Sequence, residues 1–171
     1  MQSSTLKKEN SINSLKLDDL MNYSKDELDE LFLQAETPTI EEINGITNGR
    51  VLTGIFPLVN PYFRYILNLP FIMPWRGKFF QPIDSKNGEG INRIEFGIVK
   101  FRMFRFETQI IEPIVGPNKV FSLNYDLPEN PWFIRIIRDD VKRLRQGLYL
   151  GTANLQWKSD YYFILYFALE L

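Results

Sequence analysis

The sequence contains no histidine and no cysteine among its 171 residues. Without histidine, the commonest general base and every catalytic triad built on an imidazole are excluded. Without cysteine, thiol nucleophiles, disulfides and soft metal ligands are excluded. No Gly-rich phosphate loop of standard spacing occurs, and the acidic residues between Asp18 and Glu30 do not match a calcium loop. Acid–base chemistry remains open to Asp, Glu, Lys and Tyr, and we expect no cofactor and no metal.

The chain also lacks a long apolar run and an excess of charge of either sign. No stretch of about 18 apolar residues could form a transmembrane helix, and the polar N-terminus does not resemble a signal peptide. Twenty basic residues balance twenty-one acidic ones, so no net field attracts nucleic acid. We therefore expect a cytoplasmic protein with no nucleic-acid partner, with residues 1–13 as a disordered arm and residues 14–171 as one domain.

Aromatic residues make up 15% of the chain and are concentrated in apolar runs that are typical of strands. The predicted strands are Arg50–Phe56, Trp75–Ile83, Ile91–Phe96, Ile98–Ile111, Val120–Tyr125, Trp132–Leu144, Gly147–Trp157 and Tyr161–Leu169. Turn signals separate consecutive runs and indicate antiparallel connections. About eight such strands close naturally into a barrel whose interior is filled by side chains or holds a small ligand. The sequence thus predicts a mainly β protein with a single antiparallel barrel.

Short helices are predicted on the N-terminal side of this barrel. Leu17, Leu20 and Met21 recur at helical spacing, and Ser24 with Glu27 forms a capping box that begins a second helix, Lys25–Leu33. The segment Thr37–Gly49 is predicted as a loop. After the first strand, Asn60–Leu69 is predicted as a helix that is apolar on nearly all sides. Such a helix is buried, plugs an opening, or contacts a protein or a membrane surface peripherally.

Polar residues inside the strand patterns are candidate ligand contacts, because a charge on the inner face is costly unless it is paired or faces a wet pocket. Arg138 and Asp139 are adjacent, so only one of them can point inward. The candidate polar contacts are Lys78, Asn92, Arg93, Tyr125, Arg138, Asp139 and Tyr149. The candidate wall residues are Tyr149, Trp157, Tyr162 and Tyr166. For the charged candidates, ion pairing at the surface is the alternative interpretation.

Several short fragments resemble a family of small bacterial proteins of uncharacterised function with a lipocalin-like (calycin-type) barrel. The fragments are Ser24–Phe32, Gly77-Lys78 with Phe80, Ile91–Arg93, Ile137–Val141, Gly147–Gly151 and Leu165–Glu170, of which Gly147–Gly151 (GLYLG) is the most specific. The resemblance covers about residues 20 to 171. It implies the barrel and brings no catalytic residues. The missing disulfides and signal peptide depart from typical lipocalins, so a secreted carrier is not implied.

These observations lead to one preferred function and two alternatives. The preferred function is the binding of a small apolar or aromatic molecule in the barrel interior, with a few polar side chains that orient it. The first alternative is a small barrel enzyme of the isomerase or cyclase type, with Asp, Glu or Tyr transferring a proton. The second is a structural or interaction module that docks through the helix at 60–69. The first alternative requires a buried carboxylate, and the second requires an exposed apolar patch.

Overall fold

The computed structural model describes residues 14–55, 65, 68–69 and 74–171. The arm predicted at 1–13 and most of the helix predicted at 60–69 lie outside these residues. Of the helices within the described ranges, none is long and apolar enough to cross a membrane.

The described residues confirm the mainly β fold, with nine antiparallel strands where about eight were expected. The strands are β1 Gly45–Ile46, β2 Asn48–Gly54, β3 Trp75–Pro82, β4 Asn87–Phe96, β5 Val99–Ile111, β6 Val120–Asn124, β7 Ile137–Arg145, β8 Leu148–Trp157 and β9 Asp160–Glu170. They form one sheet in the order β1-β3-β4-β5-β6-β7-β8-β9-β2. The two strands at the ends of this order, β1 and β2, follow one another along the chain, so the sheet curls into a nearly closed barrel.

Thr47, which lies between β1 and β2, joins the two borders of the sheet. Its backbone N–H donates to the carbonyl of Lys78 on β3 at 2.9 Å, and its hydroxyl donates to the same carbonyl at 2.9 Å. The Lys78 N–H in turn donates to the Thr47 hydroxyl at 3.1 Å. One chain segment therefore pairs with β3 before Thr47 and with β9 after it. This segment was predicted as a loop up to Gly49, and its first strand is only two residues long, which is below the length that a residue pattern can reveal.

The predicted strand Trp132–Leu144 is wrong in its first part. Trp132–Arg135 is a short helix. We call it α2, because α1 is the N-terminal helix Lys25–Gln34. Strand β7 begins only at Ile137. Pro131 precedes the helix with φ of −58°, and its carbonyl accepts bonds from the N–H groups of Ile134 and Arg135. The proline ring fixes a backbone angle that suits the start of a helix, and this local effect overrides the aromatic, β-branched character of the run.

Two apolar clusters lie on opposite faces of the sheet, as the alternation of side chains along a strand requires. The inner cluster fills the barrel and includes Phe80, Phe106, Phe121, Tyr149 and Phe167, with Ile40 and Ile43 from the segment before β1. The outer cluster joins Leu52, Leu148, Leu150, Tyr166 and Ala168 to the N-terminal helices. The last strand is therefore apolar on both faces because one face fills the barrel and the other is covered.

The N-terminal helices provide that cover. A 3-10 helix spans Leu17–Asn22, and helix α1 spans Lys25–Gln34. The capping box predicted at Ser24 and Glu27 is present at the start of α1. Phe32 of α1 packs edge-on against the Tyr166 ring with centroids 6.1 Å apart. The predicted short helices on the N-terminal side are thus confirmed, and they lie on the outside of the barrel wall.

Candidate functional site

Four polar side chains from different parts of the sheet meet inside the barrel. Lys78 on β3 is the direct cross-strand neighbour of Asn92 on β4, while Tyr125 follows β6 and Asp139 lies on β7. Each of the four residues is 3–6% exposed. Lys78 points inward because it is two residues from Phe80, which is part of the inner cluster, and side chains alternate between faces.

The four side chains form one hydrogen-bonded network, which we call the Lys78 network. The Lys78 ammonium lies 3.0 Å from Asp139 Oδ2 and donates to Asn92 Oδ1 at 2.9 Å. It also donates to the Tyr125 hydroxyl. Tyr125 donates to Asp139 Oδ2 at 3.0 Å and accepts from the Asn92 amide at 3.3 Å. The remaining Asn92 bonds reach outward: its Oδ1 accepts from Trp75 Nε1 at 2.9 Å, and its amide donates to the Phe104 carbonyl at 3.1 Å. The ammonium therefore has three acceptors, which matches its three protons.

Four aromatic rings surround the ammonium. Lys78 Nζ lies 5.2 Å from the ring centroids of Phe106, Tyr125 and Phe167, and 5.6 Å from that of Trp75. A cation within about 6 Å of a ring centroid is attracted by the ring quadrupole, most strongly where water is excluded. The rings thus compensate part of the cost of burying the charge, together with the carboxylate of Asp139.

Burial and the Asp139 carboxylate oppose each other in their effect on the pKa of Lys78 but act together on the pKa of Tyr125. Burial lowers the pKa of Lys78 below its ordinary value, while the neighbouring Asp139 carboxylate acts to raise it. Burial and the same carboxylate both raise the pKa of Tyr125 well above that of a free phenol. Tyr125 therefore keeps its proton at neutral pH and donates it to Asp139.

Three of the four rings rest on glycines of neighbouring strands. A Cβ atom at Gly90 would lie 2.4 Å from the Phe106 ring, and one at Gly151 would lie 2.3 Å from the Phe167 ring. A Cβ atom at Gly49 would likewise lie 2.5 Å from the Trp75 ring. Since real Cβ atoms do not approach other atoms so closely, only glycine leaves room for the rings that surround Lys78.

An apolar cavity of about 200 Å³ that is open to solvent on one side lies beside the network, at the end of the barrel where β3 begins. Its lining consists of Trp75, Asn92, Ile94, Phe104, Tyr125, Ile134 and Ile137. The two polar members are Asn92 and Tyr125, whose side-chain atoms already bond to each other and to their neighbours. The cavity therefore offers a mainly apolar, aromatic wall, with Lys78 and Asp139 behind it.

The structure brings together Lys78, Asn92, Tyr125 and Asp139 from the candidates that the sequence suggested. Tyr149 is also inside the barrel, but its hydroxyl bonds to the carbonyl of Glu42, at 3.2 Å, and it does not line the cavity. The structure thus places these five side chains inside the barrel. Whether they contact a ligand is a prediction that the structure does not test.

The other five candidates do not join this group. Arg93 donates to the Thr47 carbonyl at 2.8 Å and pairs with Glu95, and Arg138 pairs with Asp140 on the outside of β7. Trp157 and Tyr162 are exposed near the β8–β9 turn, and Tyr166 is buried against α1, where its hydroxyl donates to Asp29 at 2.7 Å. Of the adjacent pairs Asn92/Arg93 and Arg138/Asp139, one member of each points inward, as alternation requires.

Several cavity residues were not among the candidates, chiefly because they are apolar. Trp75, Ile94, Phe104, Ile134 and Ile137 line the cavity but look like ordinary core residues in the sequence. Phe104 has φ of +60°, next to an irregularity in the pairing of β4 with β5. This bulge allows Phe104 and Phe106 to share a side of the strand with Met103, and no pattern in the sequence marks it. Among the described residues, no group of three or more acidic side chains is placed to hold a metal ion.

Comparison with known proteins supports the fold and goes no further. No protein-family model and no curated protein matches the chain. A crystal structure of a protein from Thermomonospora curvata is similar, with a TM-score of 0.57 and 17% identity over 86% of this chain and 87% of that chain. At this identity the similarity shows a shared fold alone.

Proposed function

We propose that the protein binds a small apolar or aromatic molecule in the cavity beside the Lys78 network. The observation that carries the proposal is the lining of this cavity: aromatic and aliphatic side chains, with Asn92 and Tyr125 as the polar members. Ligand pockets typically combine such an apolar wall with a small number of fixed polar groups. A nearly closed barrel is compatible with the binding of a small molecule, and a cytoplasmic location is part of the proposal.

The cavity volume limits the size of this molecule. At about 200 Å³, the cavity is below the range of roughly 300–1,000 Å³ that is usual for drug-sized ligands. An enclosed apolar cavity of about 150 Å³ is known to hold benzene. The open cavity beside the Lys78 network therefore has room for one aromatic ring and a few further atoms, as in a cresol or indole. A long fatty acid would leave most of its chain outside the cavity.

Binding is favoured over catalysis by the state of the one titratable side chain in the lining. The pKa of Tyr125 is raised, and its hydroxyl already donates a hydrogen bond to Asp139. A phenol in this state is a poor acid, and it is not a base at neutral pH. Two carboxylates are buried among the described residues, and neither lines the cavity. Asp139 is paired with Lys78 behind the wall, and Asp140, whose pKa is raised by burial, is paired with Arg138 on the outer face of β7. The docking alternative at 60–69 lies mostly outside the described residues.

Fluorescence of Trp75 tests the proposal, because its ring is part of the cavity wall. Trp132 and Trp157 are exposed and can be replaced by Phe, which leaves Trp75 as the sole tryptophan. Titration of this W132F/W157F protein with indole-free single-ring compounds, such as cresols and nitrophenols, should give a saturable change in emission. No saturable change with any compound of this size would contradict the proposal.

A pair of isoleucine variants then shows whether the signal comes from the cavity. Ile94→Phe adds a ring to the cavity wall and should abolish saturation. Ile98→Phe makes the same change at a residue that is 97% exposed and does not line the cavity, so binding should be unchanged. Equal binding by the two variants would place the ligand elsewhere.

A further inference from the structure

The hairpin formed by β4 and β5 extends beyond the body of the barrel. β5 pairs with β4 along Val99–Gln109, but it pairs with β6 only along Glu107–Ile111. Within the described residues, no backbone hydrogen bond joins Val99–Met103 to any element other than β4. Among the elements that the structure describes, this part of β5, which we call the β5 edge, therefore pairs with β4 alone and forms a sheet border about 17 Å long at 3.4 Å per residue.

The backbone groups on this border can be assigned from the hairpin turn. Phe96 and Val99 close a two-residue turn that contains Gly97 with φ of +56°, and in such hairpins the closing pair is hydrogen-bonded. Hydrogen-bonded and non-hydrogen-bonded pairs alternate along antiparallel strands. The N–H and C=O groups of Lys100 and Arg102 consequently point away from β4, toward the free side.

The side chains of the β5 edge divide into an apolar face and a basic face. Val99, Phe101 and Met103 are each 45–48% exposed and lie opposite Phe96, Ile94 and Asn92. They extend the cavity wall outward, because Ile94 and Asn92 line the cavity. Lys100 and Arg102 are on the other face, where Lys100 is 3.7 Å from Glu95 and Arg102 lies over the Phe79 ring.

We propose that the β5 edge binds an extended peptide segment in which apolar and acidic residues alternate. Such a segment would add a strand to the sheet through the backbone groups of Lys100 and Arg102. Its apolar residues would contact Phe101 and Met103, and its carboxylates would lie opposite the two cations, since opposite charges stabilise cross-strand pairs.

Two other occupants of this border are less favourable, one because of charge and one because of the backbone groups. A second copy of the chain, paired symmetrically and antiparallel, would place Lys100 or Arg102 opposite a like charge, which is destabilising. An anionic lipid surface could meet the charges of Lys100 and Arg102, but it would leave their outward-facing backbone N–H and C=O groups unpaired. An acidic–apolar strand uses both the backbone and the charges.

Anisotropy of a fluorescein-labelled peptide of about eight residues, alternating Val and Glu, tests the proposal on the full chain. The wild-type protein should bind it saturably, and should bind the matching Val–Lys peptide at least roughly tenfold more weakly. Arg102→Pro removes the N–H on the free side without removing a bond to β4, and should weaken binding roughly tenfold relative to Arg102→Ala, which keeps the N–H. Far-UV circular dichroism checks that both variants fold.

A charge-reversed variant keeps the test independent of the proline substitution. K100E/R102E leaves the backbone unchanged and should prefer the Val–Lys peptide. The proposal is overturned if the wild type binds neither peptide, binds both equally, or if R102P and R102A bind alike. It is also overturned if the wild type binds phosphatidylserine vesicles but no peptide, or if sedimentation shows a dimer that K100E/R102E disrupts and that binds no peptide.

Discussion

At the scale of the residue, the Lys78–Asp139 ion pair is the feature whose removal should lower the free energy of unfolding most. Lys78→Met removes the cation and leaves the Asp139 carboxylate buried, so the free energy of unfolding should fall by about 3–5 kcal/mol. Urea denaturation followed by circular dichroism measures this change.

Lys25 provides the matched control, because it also pairs with an aspartate but is 51% exposed. Lys25→Met should cost no more than about 0.5 kcal/mol. If the two variants lost the same stability, the Lys78 pair would not be the buried, desolvated interaction described above.

A second prediction at this scale concerns alkaline pH. Burial raises the pKa of Tyr125, Tyr149 and Tyr166, and for Tyr166 the bond to Asp29 raises it further. Unfolded tyrosine loses its proton near pH 10, where these residues still hold theirs in the folded protein. The contribution of these tyrosines to stability is therefore full below about pH 10 and falls as the pH rises above it, because their side chains then hold fewer protons in the unfolded state than in the folded one.

Tyr166→Phe should make this fall shallower, by up to about 1.4 kcal/mol per pH unit. Urea unfolding at a series of pH values between about 9 and 11 gives the slope. The variant also loses the bond to Asp29, so its absolute stability will be lower throughout, and the slope is the diagnostic quantity. A slope equal to that of the wild type would contradict the assignment.

Residue patterns could identify the polar members of the site but not their directions. Lys78, Asn92, Tyr125 and Asp139 stand out because polar groups inside apolar strands need a reason to be there. Which of Asn92 and Arg93 points inward depends on register, and the pairing shifts between Trp75 and Gly77 and between Ile91 and Asn92. Tyr166 looked like a wall residue because nothing in the strand shows that α1 covers its outer face.

At the scale of the element, the aromatic rings and the glycines beneath them form matched pairs between neighbouring strands. Gly151→Ala would force the Phe167 ring away from Lys78, because the three atoms nearest to the added Cβ atom all belong to that ring, and overpacking of this kind costs about 1–3 kcal/mol. Replacing the ring as well, in G151A/F167L, should relieve the clash, so the double variant should lose less than the sum of the two single losses. Urea denaturation of all four proteins supplies the coupling energy, and additive losses would contradict the pairing.

Element boundaries were predictable where the signal is local and uniform. The capping box at Ser24 fixed the start of α1 to the residue. Polar residues also separated β3 from β4, but they hid the start of β4, which begins at Asn87 and not at the predicted Ile91. The run from Trp132 failed because Pro131 acts on backbone angles, whereas strand prediction weighs side chains. The helix predicted at 60–69 stays a prediction.

At the scale of the whole molecule, closure of the barrel depends on the contact between Thr47 and β3. Gly77 has φ of +121°, and a Cβ atom there would lie 2.2 Å from the Thr47 carbonyl oxygen. Gly77→Ala should therefore cost both backbone strain and the closing contact, about 3 kcal/mol or more.

Gly45→Ala is the control for strain alone, because Gly45 has φ of +99° and its Cβ atom would meet nothing within 4 Å. It should cost about 1 kcal/mol. Thermal unfolding of the two variants compares them directly, and equal losses would show that the closing contact contributes nothing.

The barrel itself was predictable from the number and spacing of antiparallel strands, since eight or nine of them with an apolar interior have few other ways to bury it. The size and position of the cavity were not. They depend on how the Phe106 and Phe167 rings pack over Gly90 and Gly151 and on the turn at Pro131 that brings Ile134 to the wall. These are contacts between residues far apart in the chain.

The central claim is that this cavity takes up a small aromatic molecule, and methyl NMR of isoleucine tests it most directly. With labelled isoleucine δ1 methyls, titration with a cresol should shift the signals of Ile94, Ile134 and Ile137 saturably. Ile40, deep in the inner cluster, and Ile114, at the surface beside α1, should stay in place. No shifts for the three cavity methyls, or larger shifts at Ile114 than at any of them, would contradict the account.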